Sequence, residues 1–409
     1  MSTPLDGVAT PPRAAVRIQA VDILRGLVMV LMAIDHTRDY IHSGAMAFRP
    51  EDLTQTTPAI FLTRWITHFC APAFMFCAGL GAFLRLERGG SKADLSRFLA
   101  TRGLWLIVLE FTLVRASFFF DLTFNPLFLL VLWALGWSMI ALALLVHLPP
   151  RVLLALSIAM IALHNLLDGV QAATFGAFAW VWQILHQQGL WLPVEGGPAI
   201  IVAYPLVPWI GVMAAGFCFG ELYRLPPERR RRLLLRLGLA LTAAFVLLRG
   251  LNVYGDPRPW TVQERGGGPL YTLLSFLNAT KYPASLSFLL MTLGPAIVFL
   301  GLVDGMRRGD RDPILVFGRV PLFYFVIHIP LIHLLAVGLT ALRYGGGAPF
   351  VWLAPPTLGT ARELFPADYG WDLWVVYAVW AVALVLAYPL CRWFAELKRR
   401  RAAWWLSYF

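Results

Sequence analysis

Apolar stretches long enough to cross about 30 Å of hydrocarbon recur along the whole chain, with no polar module between them. In order, they predict membrane helices over 20–41, 58–84, 97–120, 126–148, 151–167, 199–223, 231–254, 283–304, 314–342 and 373–398. The fifth is short and interrupted by His164 and Asn165, and 174–192 reads as an interfacial or additional helix. The expected fold is therefore all-α, a polytopic transmembrane bundle of about ten helices. One membrane domain, 20–398, lies between an N-terminal tail, 1–19, and a basic, aromatic tail, 399–409. The run from Val21 to Ile34 contains Asp22 and Arg25 and no small-x-small cleavage site, so it reads as a retained first helix.

Composition supports this picture. The chain is 59% hydrophobic and only 14% charged, against an apolar share of about 45–50% in soluble proteins. On the predicted topology, twenty-one of the 34 Lys and Arg fall on the side of the termini, eight on the other side and five inside spans. Positive charge marks the cytoplasmic face, so both termini are expected there, in a bacterial inner membrane. The net charge of +11 then needs no nucleic-acid partner. The clusters Arg229–Arg232 and Lys398–Arg401 either fix orientation against anionic lipid or recognise a polyanionic cosubstrate such as coenzyme A. Cys70, Cys77, Cys218 and Cys391 sit in or beside apolar segments, without CxxC or zinc-type spacing. Neither a disulfide scaffold nor a metal centre is expected.

A charge near the bilayer centre costs at least about 2.5–3.5 kcal/mol, so ionisable residues inside spans are the strongest functional pointers. Helix one is the richest. Arg25 and His36 are eleven residues apart, which places them on one face, roughly 16 Å apart along the axis. Asp35 is adjacent, and His68 and His328 come from spans able to approach the same half. His147, His164, His186 and His333 read as structural or interfacial. Glu110 and Arg102 either balance each other in a cavity wall or, being eight residues apart, take other partners. A histidine suits proton removal from an amine or hydroxyl at neutral pH, with Asp35 favouring the imidazolium; His36 could equally carry an acyl group covalently. No GxSxG elbow, Walker A loop, GxGxxG fingerprint or HExxH pair offers another chemistry.

Asp22-Ile23-Leu24-Arg25-Gly26 followed by Asp35-His36 resembles the first membrane helix of bacterial proteins related to the catalytic domain of heparan-alpha-glucosaminide N-acetyltransferase. The Arg25-x10-His36 spacing is similar to the signature of the wider transmembrane acyltransferase superfamily. Thr67-His68-Phe69-Cys70-Ala71-Pro72, Pro208-Trp209-Ile210-Gly211, Asn278-Ala279-Thr280-Lys281-Tyr282-Pro283, Phe317-Gly318-Arg319-Val320-Pro321 and Tyr388-Pro389-Leu390-Cys391 extend the likeness over most of the chain. The resemblance implies a membrane enzyme moving an acetyl group from cytoplasmic acetyl-CoA to a cell-envelope sugar or glycolipid. His36, Asp35 and His68 would be catalytic, Arg25 and Arg319 would serve the donor, and His42, His328, Asn278 and Lys281 would form a second tier. The lysosomal enzymes carry Asn where Asp35 stands and their reactive histidine in the following loop, which makes His42 the alternative base. The competing reading is an ion-coupled secondary transporter, which should show paired repeats that the sequence lacks; a noncatalytic scaffold leaves the helix-one stripe without a purpose.

Overall fold

A computed structural model describes residues 18–194, 197–264, 268–352, 362–401 and 403–409. Most of the N-terminal tail, together with Arg13, Arg17 and Arg265 from the charge count, lies outside them. Helices α1 (Gln19–Ile41), α2 (Pro58–Thr67), α3 (Cys70–Leu86), α4 (Lys92–Leu109) and α5 (Arg115–Phe119) open the chain. They are followed by α6 (Val131–Leu145), α7 (Pro150–Leu163), α8 (Ala179–Leu185), α9 (Leu206–Phe219) and α10 (Pro227–Leu251). Then come α11 (Pro269–Leu277), α12 (Leu286–Val303), α13 (Pro313–Arg319), α14 (Pro321–Tyr344) and α15 (Leu373–Arg400). Several starts are written locally. Thr57 caps α2 with Pro58 in its first turn, Ser91 and Asp94 form a capping box on α4, and Asp312 caps α13 ahead of Pro313.

Each of the ten expected segments contains a helix, and among the described residues seven stretches are long and apolar enough to span a membrane: Pro58–Leu86, Pro150–Leu167, Leu206–Arg224, Pro227–Leu251, Leu286–Val303, Pro321–Tyr344 and Leu373–Arg400. α1 falls outside that group because it carries Asp22, Arg25, Asp35, Arg38 and Asp39. The α4–α5 rod is rich in charge, and α6 is short. The helices are also less continuous than expected. The second span breaks at His68 and Phe69, and the ninth at Val320.

A small sheet departs from the all-α expectation. Strands β1 (Leu127–Leu129), β2 (Gly189–Trp191) and β3 (Ile200–Val202) pair in the order β1-β3-β2, with β1 parallel and β2 antiparallel to β3. The expected helices at 126–148 and 199–223 therefore begin a few residues later. Three-residue apolar strands are indistinguishable from helix ends by periodicity alone. Residues 172–185 form a 3-10 segment followed by α8, consistent with the additional helical region read at 174–192.

The bundle is organised around α1, which packs on α13, α14, α15 and α3. Its crossing with α13 explains two of the sequence motifs. A Cβ at Gly26 would lie 1.8 Å from the Ile314 carbonyl oxygen, and one at Gly318 only 1.7 Å from that of Asp22. The two backbones touch, as small residues permit in membrane helices. This contact brings Arg25 and Arg319, each beside one of these glycines, to a common cavity. Outward, α7, α10 and α15 present Leu154, Ile158, Leu239, Leu247, Val385 and Trp393, an apolar exterior suited to lipid.

Candidate active site

The C-terminal half of α1 forms one wall of a cavity of about 520 Å³. Asp35, His36, Arg38, Asp39 and His42 line it from α1 and its cap, Glu51 from the following loop, and Arg64 and His68 from α2 and its end. Glu110, Tyr204 and the stretch carrying Asn278, Lys281 and Tyr282 enter from three further segments. Its floor carries a charge network. Asp35 pairs with Arg64 and, at 2.9 Å, with Arg38. Arg64 Nε also donates to Glu51 Oε1 at 2.7 Å. Burial raises the Glu51 carboxyl, but Arg64 and His68 outweigh it and hold the group well below its ordinary range.

Asp35 is thus occupied by two arginines, and among the described residues no hydrogen bond joins it to His36. Adjacent positions on a helix point about 100° apart, and Asp35 points toward α2, so its charge acts on the His36 imidazole through space rather than through a hydrogen bond. His36 instead faces Phe118, with ring centroids 5.4 Å apart, and His328, at 5.2 Å. His328 Nδ1 donates to the Phe325 carbonyl at 2.7 Å, which leaves Nε2 of the neutral ring as an acceptor. That Nε2 and His36 Nδ1 are both buried without a protein partner. His328 stands beside His36 rather than in the cavity lining, so it is suited to positioning His36.

The remaining sequence candidates have more structural surroundings. His42 ends α1 through its backbone N–H, and its side chain caps the 3-10 turn Ser43–Met46, Nδ1 accepting from the Gly44 backbone N–H at 3.0 Å. Burial, with Arg38 nearby, lowers its pKa, so it is neutral at pH 7. His68 sits at the break between α2 and α3, with Nε2 3.7 Å from Glu51 Oε1, beyond normal hydrogen-bonding distance. Asn278 donates to the Glu51 carbonyl at 2.9 Å, while Lys281 lies 5.1 Å from the Tyr282 ring centroid and lines the cavity.

Several cavity groups carry no motif in the sequence. Arg38, Arg64 and Glu51 are signalled only by the rule that a buried arginine needs an acidic partner. Glu110 does not pair with Arg102. Its Oε2 accepts from the Leu132 and Trp133 N–H groups at 2.7 and 3.1 Å, at the start of α6, where the helix dipole favours an anion. Arg102 instead donates to the Ser407 carbonyl at 2.5 Å. A π-turn over Glu110–Val114 interrupts the rod at this point, a feature frequent near functional sites.

A second cavity, of about 1050 Å³, lies against the N-terminal half of α1. Arg25, Arg85, Arg88, Arg102, Arg311, Arg319, Arg392, Lys398, Arg399 and Arg400 line it, against Asp22, Asp310 and Glu396. Ile18 and Phe409, at the two described ends of the chain, also border it. Arg25 donates to the Cys77 carbonyl at 2.6 Å, and Arg319 to Asp310 at 2.7 Å. Phe74, Val131 and Phe325 line both cavities, so an apolar waist separates them. The Arg229–Arg232 cluster borders neither; Arg230 pairs with Asp304 at 2.9 Å.

Apolar helices enclosing a histidine-bearing cavity and a cationic one define a multi-pass membrane protein with a buried polar centre. The family model described as heparan-alpha-glucosaminide N-acetyltransferase, catalytic, matches residues 17–253, and the chain belongs to this family of membrane acetyltransferases. No curated protein matches it. The matched region contains Arg25, Asp35, His36, His42 and His68, while Asn278, Lys281, Arg319 and His328 come from the remainder.

Proposed function

We propose that this chain transfers an acetyl group from coenzyme A, bound in the arginine-lined cavity, to an amine or hydroxyl of a cell-envelope sugar or glycolipid held in the histidine cavity. The observation that carries the reading is the pair of abutting cavities along α1, one holding Arg25 and Arg319 and the other His36. Guanidinium groups suit the donor's phosphates. The long, mostly uncharged pantetheine arm suits the apolar waist of Phe74, Val131 and Phe325. On the other side, Asn278, Lys281 and Tyr282 offer hydrogen-bonding groups for a polar acceptor.

In this mechanism His36 takes the proton from the acceptor as it attacks the thioester carbonyl, then returns it to the departing thiolate. His328 positions the imidazole, and Glu51, Arg64, Arg38 and Asp35 fix the cavity floor. His42 serves as the side-chain cap of the 3-10 turn that follows α1. With the arginine-lined cavity on the cytoplasmic side of a bacterial inner membrane, donor and acceptor approach from opposite faces, and the lipid bilayer is the protein's principal partner.

The test is acetyl transfer by purified protein in lipid nanodiscs, given labelled acetyl-CoA and a panel of amino and hydroxyl envelope sugars. Label on an acceptor, with stoichiometric release of free coenzyme A, is expected. Failure to release coenzyme A with any acceptor, together with uptake of a panel sugar into proteoliposomes, would instead establish a transporter.

A further inference from the structure

We propose that His164, Asp168 and His186 form a zinc-type divalent-metal site that clasps the end of α7 to the segment after α8. The three offer one ligand atom each, all within 4.8 Å of one another. His164 and Asp168 lie four residues apart on the turn that continues α7, and His186 directly follows α8. His186 Nε2 is 3.2 Å from Asp168 Oδ1. For metal–ligand bonds of about 2.1 Å, tetrahedral geometry separates ligand atoms by about 3.4 Å. One edge is therefore already close to its bound length, and modest side-chain rotations bring His164 in.

The unmet bonding capacity of these rings points to a ligand. Both histidines are 3% exposed. His164 Nδ1 and Nε2 and His186 Nδ1 are all buried with no protein hydrogen-bond partner. An imidazole left this way loses its hydration without compensation, whereas a metal uses the lone pair directly. The carboxylate is already oriented from behind, because Asn165 Nδ2 donates to Asp168 Oδ2 at 2.8 Å, the kind of outer support that metal ligands ordinarily have. Asn165 is itself held at the start of α12, where its Oδ1 accepts from the Leu286 N–H at 2.9 Å.

The donor set selects the ion. Two imidazoles and one carboxylate suit zinc and its transition-metal neighbours rather than calcium or magnesium, which favour oxygen. Asp168 retains a partly exposed side chain, leaving room for water as a fourth ligand. The consequence is mechanical. Gln188, two residues beyond His186, lines the histidine cavity, so the clasp fixes part of that cavity's wall without entering its chemistry.

Full-length protein purified without a histidine tag, and measured by elemental mass spectrometry, should carry about one zinc per chain. Chelation should remove it and lower the melting temperature, and added Zn²⁺ should restore both. Cobalt substitution should give the visible absorption of a four-coordinate nitrogen–oxygen site. His164→Gln and His186→Gln, which keep side-chain volume, should each lose the metal and the chelator response while still eluting as folded protein. Wild type that binds Zn²⁺ no more tightly than the double Gln variant, or a folded double variant that retains stoichiometric zinc, would overturn the proposal.

Discussion

Replacing His36 by alanine separates chemistry from packing at the centre of the proposed mechanism. The substitution deletes the ring that contacts Phe118 and His328, but leaves Asp35 with both arginines and Arg25 in the other cavity. Loss of a general base reduces turnover by about 10²–10⁴-fold, or about 2.7–5.5 kcal/mol on the barrier. His42→Ala removes one cap hydrogen bond to Gly44 N–H, a loss of about 1 kcal/mol in stability with little direct effect on the reaction. Initial rates of coenzyme A release, donor affinity by titration and melting temperature should be measured together. His36→Ala should lose turnover while retaining donor affinity; His42→Ala should mainly lower the melting temperature. In a double-mutant cycle, His328→Gln should have little further effect once His36 is gone, because a positioning residue acts through the group it positions. Near-normal turnover of His36→Ala beside an inactive, folded His42→Ala would refute the assignment and make His42 the base.

Donor affinity should fall by tenfold or more in Arg25→Gln and Arg319→Gln and become less sensitive to salt, whereas Arg231→Gln, outside both cavities, should match wild type in equilibrium binding. Gly318→Ala places a Cβ about 1.3 Å inside the 3.0 Å limit of close approach to the Asp22 carbonyl, so separation of α1 from α13 should cost about 1–3 kcal/mol; an unchanged melting temperature and donor affinity would contradict the backbone contact. Glu51 has a depressed carboxyl pKa, so its contribution to stability is present above the ordinary carboxylate range and is lost as pH falls through the lowered value. Thermal melts of Glu51→Gln should therefore show a deficit at pH 7 that closes on acidification, and a constant deficit would rule this linkage out. Single cysteines at Gln188 and Arg230 should react with impermeant thiol reagents from the periplasmic and cytoplasmic sides respectively, and the reverse labelling would invert the orientation.

Helical periodicity carried the reading of α1. Arg25 and His36 share a face because residues eleven apart nearly complete three turns, and one continuous helix takes them to two different cavities. For Glu110 and Arg102, eight residues apart in one span, periodicity leaves open whether they balance each other or take other partners, and the fold gives them separate ones: Glu110 turns to the start of α6 and Arg102 to the C-terminal tail. Of the two basic clusters, Lys398–Arg401 supplies Lys398, Arg399 and Arg400 to the cationic cavity while Arg229–Arg232 borders neither cavity, and the remaining cations come from dispersed positions on or beside α1, α3, α4, α13 and α15, which density along the chain does not mark.

Apolar length, local periodicity and short motifs are properties of neighbouring residues, so the chain alone carries the membrane class, the approximate positions of the helices, the polar stripe of α1 and the family likeness. Which buried polar groups meet follows from packing between distant segments: Arg64 with Asp35 and Glu51, His328 with His36, and His186 with Asp168. A charge in a membrane helix must find a partner, but helix packing chooses it. Here that choice depends on contacts such as Gly26 with α13, where the absence of a side chain lets two distant segments close to backbone distance.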